Sequence, residues 1–106
     1  MHKTLDPSIK GHIDVHNRVD SSPSHGWFMR TTPGDPLVVR AITSEGELEV
    51  VTEPRTDVDG YYEVTEQAIG WKVVCPFGLP VILQIEEGDA WKTIVILTPK
   101  IKILPT

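Results

Sequence analysis

The chain has 106 residues, of which 40% are apolar, and a formal net charge of −5. That is room for one domain built on one core. Its ten Lys and Arg are scattered, no two adjacent, which argues against nucleic acid as a partner and against a basic amphipathic segment on a membrane surface.

Residues 1–7, MHKTLDP, lack the apolar stretch of a signal peptide, and no apolar run approaches the roughly 20 residues of a spanning helix. The expectation is synthesis and assembly in the cytoplasm without export, with a virion as one destination. Residues 9–15 alternate. Ile9, Gly11, Ile13 and Val15 share one side, and Lys10, His12 and Asp14 the other, with His16 continuing the polar side. This is the pattern of a half-buried strand. Residues 17–25 are polar and read as an exposed loop. Residues 26–30, with Trp27 and Phe28, read either as a second strand or as part of an excursion that packs its aromatics on the sheet. Residues 16–36 together count as a long insert.

Residues 32–36, TPGDP, are a turn by composition. Residues 37–43 and 48–52 read as two strands of a hairpin around Ser44, Glu45, Gly46 and Glu47. Asp57, Val58, Asp59 and Gly60 form the clearest turn signal, with residues 61–65 as the strand after it. Strands are also expected at 71–75, at 79–85 and at 91–97. The last is the most β-prone run and is expected either to be buried on both sides or to lie near the core centre. Residues 66–69 offer one helical turn at most. Residues 100–104, KIKIL, alternate as a final edge strand or tail.

Short strands with a turn about every ten residues predict an all-β, antiparallel β-sandwich of seven or more strands, immunoglobulin-like or transthyretin-like, with less than about 10% helix. Residues 1–106 form a single domain, with residues 1–7 and 100–106 as flexible or strand-adding arms. Cys75 is the only cysteine. It excludes an intramolecular disulfide and is expected to be a small buried apolar residue.

Two segments together resemble a family. The strand IKGHIDV at 9–15 is similar to the opening strand of carboxypeptidase regulatory-like domains, and TDVDGYYEV at 56–64 resembles their turn-and-strand hairpin. These domains group with transthyretin-like and collagen-adhesin B-type modules. The resemblance covers roughly residues 8–97. It implies a seven-stranded sandwich acting as a spacer, adhesive repeat or accessory module. In the hairpin, Asp-Gly would supply the positive φ angles of a tight turn at Asp57, Asp59 and Gly60. Adhesin modules carry a Lys to Asn or Asp cross-link assisted by Glu. Lys10 and Glu66 match two of those roles, but the only Asn is Asn17, and residues 91–97 hold neither Asn nor Asp. The transthyretin-like hydrolases use His, Arg and a terminal Tyr-Arg-Gly-Ser, where this chain ends ILPT.

No catalytic motif is present: there is no nucleophile elbow, Gly-rich phosphate loop or His-Glu-x-x-His. His12, Asp14 and His16, with His25 available, could approach a metal, but residues four apart on a strand lie too far apart to share one. Asp57, Asp59 and Glu63 give only part of a calcium loop. The expectation is therefore no metal and no cofactor.

The functional expectation is a non-catalytic structural or interaction module, a subunit or decoration protein of a larger assembly such as a phage head or tail. Its partners would be proteins, another copy of itself included. Contact is expected at Trp27 and Phe28 in the insert and at Ile101, Ile103 and Leu104 in the arm. One alternative is a carbohydrate- or surface-binding accessory module using Trp27, with Trp71 and Trp91 assigned to the core or its boundary. The other is a small transthyretin-like hydrolase, which would need His12 or His16 to meet Arg30 or Arg40.

Overall fold

Residues 9–16, 22–31, 37–63 and 67–99 are described in the computed structural model of the protein. Strand accounts for 62% of these and helix for 8%, arranged as two four-stranded antiparallel sheets. In chain order the elements are β1 (Ile9–Val15), β2 (Ser24–Arg30), β3 (Val39–Thr43), β4 (Gly46–Leu48), β5 (Val51–Pro54), α1 (Thr56–Tyr61), β6 (Ala68–Val73), β7 (Val81–Glu87) and β8 (Ala90–Leu97). The first sheet runs β1-β2-β6-β5 and the second β4-β3-β7-β8. Residues 1–8, 17–21, 32–36, 64–66 and 100–106 lie outside the described residues, and with them the two expected arms, the expected turn at 32–36 and Glu66.

The alternation of each strand decides which residues fill the space between the sheets. Phe28, Trp71 and Val73 enter from the first, and Ala41, Val81, Leu83, Ile85 and Leu97 from the second, all at 2% exposure or less. Such burial is worth about 1.5–3 kcal/mol per large side chain. Cys75 joins this core as expected, also 2% exposed. Gly26 makes room for the Trp71 ring. A Cβ at Gly26 would run into the His12 carbonyl oxygen and lie 2.8 Å from Trp71 Cζ2.

Two bulges change faces that simple alternation assigns. On β1, Ile13 opposes Gly26 and Val15 opposes His25, leaving Asp14 as an extra residue. His16 is thereby turned to the core side, opposite His12. On β8, Leu83 opposes Val95 and Gln84 opposes Thr93, so Ile94 is extra. Ile94 and Val95 are consequently both buried. Among the described strands β8 is at the edge of its sheet with Ile96 53% exposed, so it is not covered on both sides, while Ile94 and Leu97 lie in the core.

Of the two readings of residues 26–30, the second strand is the one the structure bears out, and residues 17–21 and 32–36 of the expected insert lie outside the described residues. β2 lies between β1 and β6, in the middle of the first sheet. Its apolar run Trp27-Phe28-Met29 needs no alternation, because both of its faces are covered. The hairpin expected at 37–52 is half right. β3 and β4 pair, but the chain then crosses at Glu49 and Val50, and β5 joins the other sheet against β6.

The turn at Asp57, Asp59 and Gly60 is also corrected. These residues form α1, and Gly60 is absent from the positive-φ positions, which in this region fall on Glu63 at φ 57°. No strand follows at Tyr61, where the helix ends, or at Tyr62 and Glu63, which turn the chain. What holds α1 is Asp59, 6% exposed, whose Oδ1 accepts the backbone N–H of Gln67 at 3.1 Å and of Ala68 at 2.8 Å. Val58 packs beneath the helix against Trp27, Met29 and Ala68, with Tyr62 alongside. Among the described residues no helix is long and apolar enough to cross a membrane.

Candidate interaction surface

On the outer face of the first sheet, paired positions form rows across the strands. One is Val15, His25, Lys72 and Val51; the next is His12, Trp27, Gly70 and Glu53. Gly70 leaves a notch in the second row, and the Arg55 side chain lies in it. A Cβ at Gly70 would come 2.9 Å from Arg55 Cγ. Arg55 grips Asp57 with two bonds, Nε to Oδ1 and Nη2 to Oδ2, both 2.9 Å. Its Nη1 donates to Asp14 Oδ2 at 3.2 Å. Asp14 in turn faces His12 at 3.8 Å and His25 at 3.9 Å.

The hydrogen bonds to Asp57, and then the one to Asp14, hold the Arg55 guanidinium protonated beyond its ordinary range. The same bonds from Arg55 draw the Asp57 carboxyl down to about 2. This arrangement ties the β5–α1 corner to the β1 bulge through mutually satisfied charges. Among the described residues no group of three or more His, Cys, Asp or Glu is placed to hold a metal ion.

His16 works at one end of the sandwich. Its Nε2 lies 2.9 Å from the Thr98 carbonyl oxygen, which can only accept, so Nε2 carries a proton. Its Nδ1 meets the buried Ser24 hydroxyl at 2.7 Å, and the Cys75 thiol reaches the same hydroxyl at 4.0 Å. A chain of side chains thus connects β2 of one sheet to the residue following β8 of the other.

The outer face of the second sheet is different. Ile42 opposes Ile82, and Ile82 opposes Ile96, making an apolar row across three strands. Beside it Arg40 stacks on Trp91, 4.2 Å from the ring centroid, and donates to Gln84 at 2.8 Å. Gln84 donates on to Thr93 at 3.1 Å.

The third feature is the seam where the chain crosses between sheets. A cleft of about 400 Å³ opens there, walled by Leu48, Val51, Val73 and Val74 and rimmed by Glu49 and Lys72. Val51 is 57% and Val74 53% exposed. The cleft lies between two edge strands, β4 and β5, each with one side of its backbone ladder unpaired by described residues. Along the β4 edge, Glu45, Glu47 and Glu49 are exposed, while Leu48 and Val50 pack on the core.

Against these sites the expected residues fall as follows. Trp27 and Phe28 are 8% and 1% exposed, so neither offers a contact surface. Trp27 lies on the α1 side and Phe28 in the inter-sheet core, against Trp71. Ile101, Ile103 and Leu104 lie outside the described residues. The His–Arg meeting required of a hydrolase does not form at the named positions. Arg30 faces Glu87 at 3.9 Å, Arg40 is on the second sheet, and the arginine that approaches His12 and His25, through Asp14, is Arg55. Nothing in the sequence flagged Arg55, because its role depends on the Gly70 notch and the β1 bulge. The alternation of Glu with Gly46, Leu48 and Val50 was a readable signal of a half-buried edge.

In comparisons with protein-family models, with curated proteins and with solved structures, nothing matches this chain.

Proposed function

We propose that this protein is a non-catalytic β-sandwich module that works by protein–protein contact within a larger assembly, and that the seam between β4 and β5 is its contact surface. The observation carrying the reading is the cleft at the seam, whose walls include Val51 and Val74, each more than half exposed, between two strand edges that the described residues leave unpaired. Apolar side chains beside unpaired backbone ladders are what an added strand or a partner segment covers. The charged network around Arg55 supports the same reading. Its members satisfy one another across the β5–α1 corner and give that edge of the first sheet a fixed shape. A phage head or tail decoration protein is a narrower proposal within this class, resting on the sequence alone.

The test is sedimentation velocity on the purified chain over a wide concentration range, beside the Val51→Glu/Val74→Glu variant. Both substitutions are at exposed positions, so circular dichroism and the melting temperature should stay unchanged. Association of the parent that is lost in the variant supports the seam as a contact surface. Equal association of both proteins, or a concentration-independent monomer for both, would sink it.

A further inference from the structure

From the seam we infer a specific occupant, an inference that rests on the reading above: residues 100–104 of a second copy of this chain, added as an antiparallel strand to the edge of β4 that the described residues leave unpaired. The argument is one of pattern, charge and reach. The β4 edge and its continuation read Gly46-Glu47-Leu48-Glu49, with the Glu side chains exposed and Leu48 packed on the core. The segment reads Lys100-Ile101-Lys102-Ile103, a basic and apolar alternation of the same period. One antiparallel register satisfies both. Lys102 opposes Glu47, Ile101 opposes Leu48, Lys100 opposes Glu49 and Ile103 opposes Gly46. Opposite charges then meet on one face, each such pair worth roughly 0.2–1 kcal/mol. On the other face Ile101 enters the cleft beside Leu48.

The remaining edges are poorer hosts. β5 carries Pro54, which has no N–H to give to a ladder. β1 presents Lys10 and His12, and β8 presents Lys92, all unsuited to a basic strand. β4 and its continuation present two exposed carboxylates in alternation, Glu47 and Glu49, the spacing that Lys100 and Lys102 match.

Reach decides whose segment it is. β8 and β4 are at opposite edges of the second sheet. A strand outside β4 lies four inter-strand spacings from β8, about 19 Å. The chain leaves β8 at the end of the sheet where β4 begins, since Leu97 pairs with Val81 and Ile82 with Ile42. An antiparallel strand must enter β4 from the other end, near Glu49. From Pro99, one residue of chain spans at most about 3.8 Å, so Lys100 of the same molecule cannot oppose Glu49. The departure point is fixed as well, because His16 holds the Thr98 carbonyl, and Pro99 cannot extend the ladder with β7.

The experiment is a charge exchange in the full chain at low ionic strength. Lys100→Glu/Lys102→Glu and Glu47→Lys/Glu49→Lys should each weaken self-association at least tenfold by sedimentation. The protein carrying all four changes should recover it. Mixing Glu47→Cys with Lys102→Cys protein under mild oxidation should give a covalent dimer through those two positions. A chain that is monomeric at all concentrations overturns the inference. So does association unaffected by either charge reversal, or a double-cysteine variant that closes within one molecule. If Val51→Glu/Val74→Glu abolishes association while the charge reversals do nothing, the seam survives as the contact surface, and only its assigned occupant is lost.

Discussion

The two outer faces of this sandwich receive opposite treatment from the same chain. The first sheet's outer face is roofed around Trp27, Met29 and Ala68. α1 places Val58 on Trp27, Met29 and Ala68, Tyr62 closes beside them, and Arg55 fills the Gly70 notch. The second sheet's outer face carries the Ile42, Ile82, Ile96 row and the Arg40–Trp91 stack, with Ile96 53% exposed. The difference comes from a connection. The link between β5 and β6 is long enough to fold a helix over its own sheet, while β3–β4 and β7–β8 are joined by tight turns at Ser44-Glu45 and Gly88-Asp89 that cover nothing. A large apolar residue beneath α1 is therefore structural, while one on the second sheet's outer face is largely dispensable.

That contrast gives the largest expected effect. Trp27→Ala removes a ring from beneath the helix and should cost about 3–5 kcal/mol, the range for buried aromatic truncations. Ile96→Ala, near the end of edge strand β8 on the other outer face, should change stability by no more than about 0.5 kcal/mol. Urea denaturation of both variants measures the pair. Similar losses in the two would show that the second outer face is as tightly covered as the first.

A second test asks what holds the roof on. Asp59 accepts two backbone N–H groups at the start of β6 while its own residue sits in the helix. Asp59→Ala leaves both donors without their acceptor in a buried place and should cost roughly 2–3 kcal/mol. Asp59→Asn keeps an acceptor oxygen and should recover at least half of that. Hydrogen exchange at the Gln67 and Ala68 amides, fast in Ala and slow in Asn, would locate the effect. Uniformly unchanged exchange would mean the helix is held by Val58 alone.

The sequence disclosed the strands whose pattern is local. Residues 9–15, the β3–β4 hairpin and the β-branched run ending at Leu97 each declare themselves by alternation or by a tight turn. What stayed hidden depends on partners distant in sequence. TDVDG has the composition of a hairpin turn. It becomes helical because Asp59 caps the N–H groups of residues 67 and 68 and Val58 has Trp27 to pack on. Trp27 and Phe28 can be read as strand residues or as aromatics of an excursion, and only the flanking by β1 and β6 decides for the strand. The bulges at Asp14 and Ile94 shift a face by one residue, and nothing in the immediate sequence requires it. The seam was half legible. Its alternating Glu were in view, but the change of sheet at Glu49 and Val50 that opens the cleft follows from tertiary packing.

The smallest expected effect concerns the charged edge of the roof. Arg55 draws the Asp57 carboxyl from its ordinary 3.8 down to about 2. A folded-state value below the unfolded one means that the unfolded chain binds the proton first as pH falls. Stability from this pair is thus complete above the ordinary value and disappears as pH falls through about 2. Asp57 is fully exposed, so water and salt screen the pair and its share is small. The comparison to make is between the protein and Asp57→Asn, melted across pH. The melting-temperature gap should be widest and flat above about pH 5, narrow below the ordinary 3.8, and close near 2. It should also shrink with added salt at neutral pH. A gap that persists to pH 2 would mean that Asp57 steadies the helix through its shape and not its charge, and that the Arg55 clamp rests on Asp14. A gap that widens on acidification would contradict the direction of the shift, and with it the attraction assigned to Arg55.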